Sequence, residues 1–463
     1  MLPPAFAAQM SMYLGPEEAE ALCHALGHTS PPVSLRLNPR KATAALTAEM
    51  EELRPVAWCP AGRYLPQRPS FTLDPRFHAG AYYVQEASSM FVEQAWHTIT
   101  RHDNMMPRRV LDLCAAPGGK STLWRSLLPD DTLLVANEPM RQRAQILAEN
   151  LTKWGHPATI VTSAYPEEFS GMHHFFDIIA TDVPCSGEGM FRKDEQAREE
   201  WSPEAVVACA GRQWQILCDI WPALRPGGWL VYSTCTFNRS EDEEMVERVC
   251  RELGAEVVEI AVRPEWGIMG HYHFYPHHAE GEGFYLALLR KHSSADALSD
   301  ASWKQGGNAK RGRGSKSPAV KNASQMAGWL ADSNAYRIFR PSATHLAAIR
   351  KDFADDAALI ASKVRTLTAG ILLAEEKGPK LIPQHALALS IARAEGAFPV
   401  APLDRTTALA YLRREAITLP PDVPRGFVIV AYEYLPLGFV NNLGTRANNL
   451  YPDPWKIKTR AEA

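Results

Sequence analysis

A chain of 463 residues exceeds what a single hydrophobic core supports, so two to four domains are expected; 46% hydrophobic and 22% charged residues describe a soluble globular protein, with no apolar run of membrane-spanning length. The net charge of -3 neither requires nor excludes a nucleic-acid partner, because it hides any local basic surface. Eight cysteines without a C-x-x-C pair, and an N-terminus lacking the basic and apolar segments of a secretory leader, read as the reduced thiols of a cytoplasmic protein.

In chain order, Met1 to about Gly80 has the texture of a small leading domain: a helical start over Pro16 to Leu26, then S-L-R-L-N-P-R-K at Ser34 to Lys41, then a proline- and aromatic-rich stretch. Arg36, Arg40 and Lys41 suit phosphate contacts, and equally the solvated ends of a short strand. Gln85 and Glu86, in Y-V-Q-E-A-S-S-M, stand where a helix would be capped. Between about Arg109 and Lys291, strand-like runs at Val110 to Ala116, Leu133 to Asn137, Ala158 to Thr162, Phe176 to Val183, Gly228 to Thr236, Ala255 to Ala261 and Gly283 to Arg290 alternate with helices such as Arg141 to Trp154 and Ser240 to Leu253. That alternation predicts an α/β fold with a mostly parallel, doubly wound sheet. From about His292 to Gln325 come Lys304, Lys310, Arg311, Arg313, Lys316 and Lys321, with no acid after Asp300, as in a flexible basic linker. A helix over about Ser342 to Val364 and a closing region with strand-like runs such as Phe427 to Tyr432 are expected beyond it. The expected division is 1–80, 81–292, 293–325 and 326–463.

The centre of the chain is V-L-D-L-C-A-A-P-G-G-K-S at Val110 to Ser121, a buried strand turning sharply into a helix at the crevice where open α/β sheets bind ligands. Two readings compete for it. A P-loop needs G-x-x-x-x-G-K-[ST], but Cys114 stands where its first glycine belongs, so a nucleotidase's phosphate cradle is incomplete. The other reading is the first motif of an S-adenosylmethionine methyltransferase, with Glu138, at the end of the next strand, on the ribose hydroxyls.

Two further strands end in chemistry. Phe176 to Gly189 carries D-V-P-C-S-G with Asp182, Pro184 and Cys185, and Gly228 to Thr236 ends in S-T-C-T with Cys235. Central strands of one sheet finish at one crevice, so the two thiols, fifty positions apart, are expected to be neighbours in space. Cys23, Cys209, Cys218 and Cys250 read as buried, inert small hydrophobes. A zinc site assembled from the two thiols with His271, His273, His277 and His278 lacks paired-ligand spacing; these histidines read as a wet loop, and no metal is expected.

Together, L-C-A-A-P-G-G-K-S, D-V-P-C-S-G and S-T-C-T resemble the Sun/nucleolar-protein family of RNA cytosine carbon-5 methyltransferases. S-L-R-L-N-P-R-K, Y-V-Q-E-A-S-S-M, G-E-G-M-F-R-K-D and P-L-G-F-V-N-N-L-G-T-R-A-N-N-L-Y-P extend the likeness to its bacterial RsmF branch, which modifies small-subunit ribosomal RNA. The resemblance implies a class I (Rossmann-like) methyltransferase core, an N-terminal RNA-binding domain and a C-terminal α+β region related to PUA domains. It implies Cys235 as nucleophile, Cys185 as the thiol that helps release product, Asp182 on the target base and beside the cofactor, and Lys120 holding Asp182. S-adenosylmethionine would lie on Cys114, Ala115, Ala116, Pro117, Gly118, Gly119 and Lys120, with Glu138 on the ribose and Arg143 bracing that corner. The family usually carries an acid just after the third strand for the adenine amine, whereas Thr162, Ser163, Ala164 and Tyr165 offer none before Glu167. In the tail, Asn441 and Thr445 stand where a lysine and an asparagine are expected.

The expected partner is RNA, 16S ribosomal RNA or the small subunit, acted on by a monomer. The target cytosine must be unpaired or extruded before its ring is accessible. Arg192 and Lys193 suit the flanking phosphates, or form an ordinary exposed pair. The pocket is expected to lower the pKa of the Cys235 thiol, because the thiolate is the nucleophile. Alternatives from the sequence are a transfer-RNA cytosine methyltransferase, a P-loop nucleotidase and an RNA-binding assembly factor with an inactive core.

Overall fold

The computed structural model describes residues 2–103, 106–270, 272–293 and 323–459; His271 and nearly all of the basic stretch expected at 293–325 lie outside them. The chain begins with two helices, α1 (Pro4–Leu14) and α2 (Pro16–His28), hinged at Gly15 with φ +87°. Each opens on proline, whose missing N–H and fixed φ suit the first helical position. Phe6, Met10, Leu22 and Leu26 pack against Phe191, Trp201, Phe237 and Tyr275, so the hairpin rests on segments that follow the two cysteine strands. A four-stranded antiparallel sheet follows, from β1 (Val33–Leu37), β2 (Pro55–Val56), β3 (Cys59–Leu65) and β4 (Tyr82–Val84), in the order β2-β3-β1-β4.

The core sheet is built from β5 (Arg109–Asp112), β6 (Leu133–Asn137), β7 (Thr159–Thr162), β8 (Phe176–Asp182), β9 (Leu224–Thr234), β10 (Ala255–Val257), β11 (His273–Phe274) and β12 (Phe284–Lys291). Its five central strands run parallel in the order β9-β8-β5-β6-β7, and β12 lies antiparallel on β9. Leu133, Leu134, Val135 and Ala136 are all fully buried, as are Ile178 and Ile179; apolar residues on both faces are what a parallel sheet covered on both sides requires. The first strand stops at Asp112 rather than Ala116, because Leu113 to Gly118 leave the ladder to form the loop at the crevice. The helix expected from Ser240 begins at Glu243, since Asn238 to Asp242 are tied into a buried knot of hydrogen bonds.

After residue 323 come β13 (Tyr336–Phe339), β14 (His345–Arg350), β15 (Thr366–Ala369), β16 (Ile371–Lys377) and β17 (Lys380–Pro383), then β18 (Val400–Pro402), β19 (Gly426–Tyr432), β20 (Leu435–Asn442) and β21 (Ala447–Asn449). The expected helix over Ser342 to Val364 is corrected: only Ala354–Lys363 is α-helical, and His345–Arg350 is a strand between β13 and β16. Its run of four buried apolar residues, Leu346 to Ile349, fits a buried strand or a buried helix equally by periodicity. β15 leaves its neighbours and pairs antiparallel with β7, adding a C-terminal strand to the core sheet. Ile349, Phe353, Ile360 and Val364 share one hydrophobic cluster with Leu111, Leu133 and Ile160. Among the described residues, no helix is long and apolar enough to cross a membrane.

Candidate active site

The Leu113–Gly118 loop is held from below and from both sides. Beneath it, Asp112 is buried and accepts a 2.6 Å hydrogen bond from Ser121 Oγ, and burial pushes its carboxyl pKa up to about 7. Leu113 N–H donates to Ala180 O and Ala115 N–H to Asn137 O, so the loop is strung between β8 and β6. Gly118 adopts φ +118°, and a Cβ there would meet Leu147 and Asn150, so glycine is what permits this turn. The next residue, Gly119, begins the helix Gly119–Leu127, whose first turn has no side-chain cap and so keeps N–H groups without an intrahelical partner. The Cys114 side chain turns inward to Thr181 Oγ1 at 3.7 Å, and burial raises its thiol pKa to about 12, which leaves its backbone as the part available to a ligand.

Glu138 directly follows β6, with only 2% of its surface exposed; one oxygen accepts from Met140 N–H at 2.9 Å and the other lies 3.3 Å from Arg143. Arg143 also donates to Ala116 O at 3.1 Å, linking the acid to the loop. A braced loop at the C-terminal end of one strand, beside a fixed carboxylate at the neighbouring strand end, fits a nucleoside with an attached amino-acid chain. At the third strand, Ser163 Oγ donates to Pro139 O and Glu168 accepts from Tyr165 N–H.

On the other side of the loop, Lys120 Nζ lies 2.9 Å from Asp182 Oδ2, and Ser233 Oγ donates to Asp182 Oδ1 at 2.9 Å. Burial disfavours the lysine's charge, but the Asp182 carboxylate outweighs it and holds the ammonium pKa above its ordinary value. Cys185 Sγ and Cys235 Sγ stand 3.2 Å apart. The hydrogen bond to Cys235, reinforced by burial, pushes the Cys185 thiol well above the usual range, so this sulfur stays protonated next to its partner. The structure thus brings Lys120, Asp182, Cys185 and Cys235 to one crevice with the loop and Glu138.

Several residues at this site are given no role by the sequence, although Glu188 and Gly189 lie in the G-E-G-M-F-R-K-D motif. Glu241, fully buried, accepts from Ser186 N–H, Gln213 Nε2 and Asn238 Nδ2, while Gln213 also donates to Pro184 O. Glu188 accepts from Trp201 Nε1 and from Phe237 N–H, and burial raises its pKa to about 7. Gly189 N–H donates to Cys235 O, and a Cβ at Gly189 would lie 3.0 Å from that oxygen, so the two cysteine loops touch backbone to backbone. Asn137 reaches Leu113 O, Ala164 O and Thr162 Oγ1, tying three strand ends together.

The basic residues expected on phosphates are mostly engaged within the protein. Arg36 is fully buried: Nε donates to Gln85 Oε1 at 2.8 Å, and Nη2 to Thr122 Oγ1 at 2.7 Å and Gly119 O at 3.3 Å. Lys41 donates to Ala79 O and Lys153 O, whereas Arg40 makes a half-exposed ion pair with Asp130. Arg192 donates to Gly281 O and Lys193 pairs with Glu282. Of the histidines set beside the thiols, His273 is buried against Glu243, not in a wet loop, and His277 and His278 face Glu18, away from the sulfurs. Cys23, Cys209, Cys218 and Cys250 are partly rather than fully buried, with their thiol pKa values raised by burial.

Residues 100–290 match the family described as 16S rRNA methyltransferase RsmB/F, residues 2–87 the N-terminal domain of 16S rRNA methyltransferase RsmF, and residues 398–457 the methyltransferase RsmF PUA domain. The ribosomal RNA small subunit methyltransferases F of Salmonella heidelberg (strain SL476) and Salmonella typhi are each 31% identical over 447 residues, covering 90% of this chain and 89% of theirs. The chain belongs to the 16S rRNA methyltransferase RsmB/F family. Among solved structures, NSun6 from Pyrococcus horikoshii with SFG has a TM-score of 0.51 at 20% identity, covering 62% of this chain and 98% of that one. A methyltransferase homolog protein from Pyrococcus horikoshii has a TM-score of 0.51 at 24% identity, covering 63% of this chain and 100% of that one. The RsmB/F member described here therefore has a Rossmann-like methyltransferase core between an RsmF-type N-terminal domain and a PUA domain.

Proposed function

We propose that this RsmB/F-family enzyme methylates carbon-5 of a cytosine in 16S ribosomal RNA, with Cys235 as covalent nucleophile. The observation that carries the reading is the pair of sulfurs 3.2 Å apart beside the Lys120–Asp182 ion pair and the Leu113–Gly118 loop. S-adenosylmethionine would be held by that loop, with Glu138 for its ribose and Arg143 bracing Glu138, and would supply an electrophilic methyl group. The donor set fits it, and one of the structural relatives was solved with SFG, an S-adenosylmethionine analogue.

Cytosine carbon-5 is a weak nucleophile until a thiolate adds to carbon-6. Cys235 forms that C–S bond, and the ring's electrons move to carbon-5, which would take the methyl group as the sulfonium S–CH3 bond breaks and the demethylated cofactor leaves as a neutral thioether. Asp182, held by Lys120 and Ser233, receives the base and orients its face toward Cys235. The carbon-5 proton must then leave so that the C5–C6 double bond reforms and the C–S bond breaks, returning Cys235 as thiolate. Once Cys235 is bonded to carbon-6, the thiol hydrogen bond that holds Cys185 protonated is gone; Cys185 releases its proton to solvent and, as thiolate, takes the carbon-5 proton.

The small-subunit target rests on the relatives' names and on matches spanning the core and both ends. Transfer of labelled methyl groups to naked 16S ribosomal RNA, assembled small subunits and transfer RNA tests it. Incorporation confined to ribosomal RNA, mapped to a cytosine by bisulfite sequencing, is the expected outcome; labelling of transfer RNA alone would replace the target while keeping the chemistry.

A further inference from the structure

A second cluster of ligating side chains lies away from the crevice, where α2 meets the segment after β11. Glu18 Oε2 stands 2.9 Å from His277 Nε2 and 2.6 Å from His278 Nε2, and the three side chains offer ligand atoms all within 4.8 Å of one another. The His277 side chain is 8% exposed and presents Nε2 to Glu18, while its Nδ1, on the other side of the ring, is buried without a hydrogen-bond partner. Glu18 and His278 are 41% and 34% exposed, which leaves one side of the cluster open to water.

We propose that Glu18, His277 and His278 form a binding site for a divalent transition metal ion of the zinc class. Two imidazoles and one carboxylate favour zinc over magnesium or calcium, which prefer all-oxygen shells. Around tetrahedral zinc, with metal–ligand distances of about 2.0–2.2 Å, neighbouring ligand atoms are roughly 3.3 Å apart. The two contacts of Glu18, at 2.9 and 2.6 Å, therefore need to open by only a fraction of an ångström, with water as fourth ligand. The ion replaces the hydrogen bonds that now join the three groups.

The site links the hairpin to the catalytic region. α2 packs through Leu22 and Leu26 against Phe191, Phe237 and Tyr275, and His277 is two residues beyond Tyr275. A metal bound here fastens α2 over the segments that follow Cys185 and Cys235, and takes no part in methyl transfer. The assignment holds whichever RNA is methylated.

The test uses the full-length protein, freed of metal by chelator and titrated calorimetrically with zinc chloride, with cobalt(II) as a spectroscopic probe. One ion per chain is expected, with a rise in melting temperature and cobalt d–d bands lacking the charge-transfer band of thiolate ligation. Glu18→Gln and His278→Asn should each weaken binding roughly tenfold or more, since even outer-shell changes cost metal sites that much. His24→Asn, a change on the same helix outside the cluster, should leave binding intact. No binding by the parent protein, equal binding by Glu18→Gln and His278→Asn, or a thiolate charge-transfer band would overturn the proposal and leave the cluster as a hydrogen-bonded clasp only.

Discussion

The Cys235 backbone N–H donates to the Cys185 sulfur at 3.4 Å, while the two sulfurs stand 3.2 Å apart, so Cys185 contacts both the main chain and the side chain of its partner. The two thiols are consequently not equivalent in their surroundings: the contact with Cys235, with burial, holds the Cys185 thiol well above its usual pKa.

That asymmetry predicts opposite phenotypes. Cys235→Ala should abolish methyl transfer and yield no covalent RNA complex. Cys185→Ala should slow turnover by on the order of 10²–10⁴-fold, the range of proton-transfer catalysis, while accumulating RNA-linked protein. Denaturing gels of each variant with labelled RNA and S-adenosylmethionine check this, and an adduct on Cys235→Ala would assign the nucleophile elsewhere.

Lys120→Met removes the cation beside Asp182 and preserves most of the side chain's length. Loss of one preorganised electrostatic partner should lower the methylation rate on the order of 10²-fold. Lys120→Arg restores charge without the compact ammonium geometry and should recover only part of the rate. Single-turnover kinetics with melting temperatures alongside separate this from a folding defect.

Arg36 is predicted to govern cofactor affinity from outside the cofactor loop. Arg36→Met leaves Gln85 Oε1 without this donor and removes one from Thr122 Oγ1, while Gly119 O keeps its bond from Thr122 Oγ1; an unsatisfied buried group costs about 1–3 kcal/mol. Calorimetry should show weaker S-adenosylmethionine binding together with lower stability, whereas Arg40→Met, losing a half-exposed ion pair, should change stability by less than about 1 kcal/mol.

Asp112 gives a pH signature. Its pKa is about 7 in the folded protein and about 3.9 when unfolded, so between these values the folded state holds the extra proton. Its contribution to stability is fully present below about pH 4 and is lost as pH rises through 7. Buried His78, at about 4, and His156 and His385, each at about 3, act oppositely: their contribution is present above about pH 6.5 and lost as pH falls. The test is therefore the gap in denaturant midpoint between the parent and Asp112→Asn, which should drift against the parent from pH 4 to 7 and then level off. A constant gap would mean that Asp112 is ionised throughout.

The sequence by itself determined the features written in adjacent residues. The apolar runs named the strands of the core, the glycines and proline after Leu113 marked the loop, and D-V-P-C-S-G and S-T-C-T put both thiols at strand ends, where a parallel sheet gathers its ligands. Tertiary structure alone decided which polar groups are consumed inside. Arg36 and Thr122 are 86 positions apart, and nothing local distinguishes a buried arginine bracing a loop from an exposed one reaching for phosphate. The same holds for Glu188 and Glu241, whose partners come from helices and loops remote in the chain, and for β15, which left no local sign that it would pair with β7. Periodicity records which face of an element is apolar; burial of a charge and choice of a strand's partner depend on what packs against it, and that is a property of the whole fold.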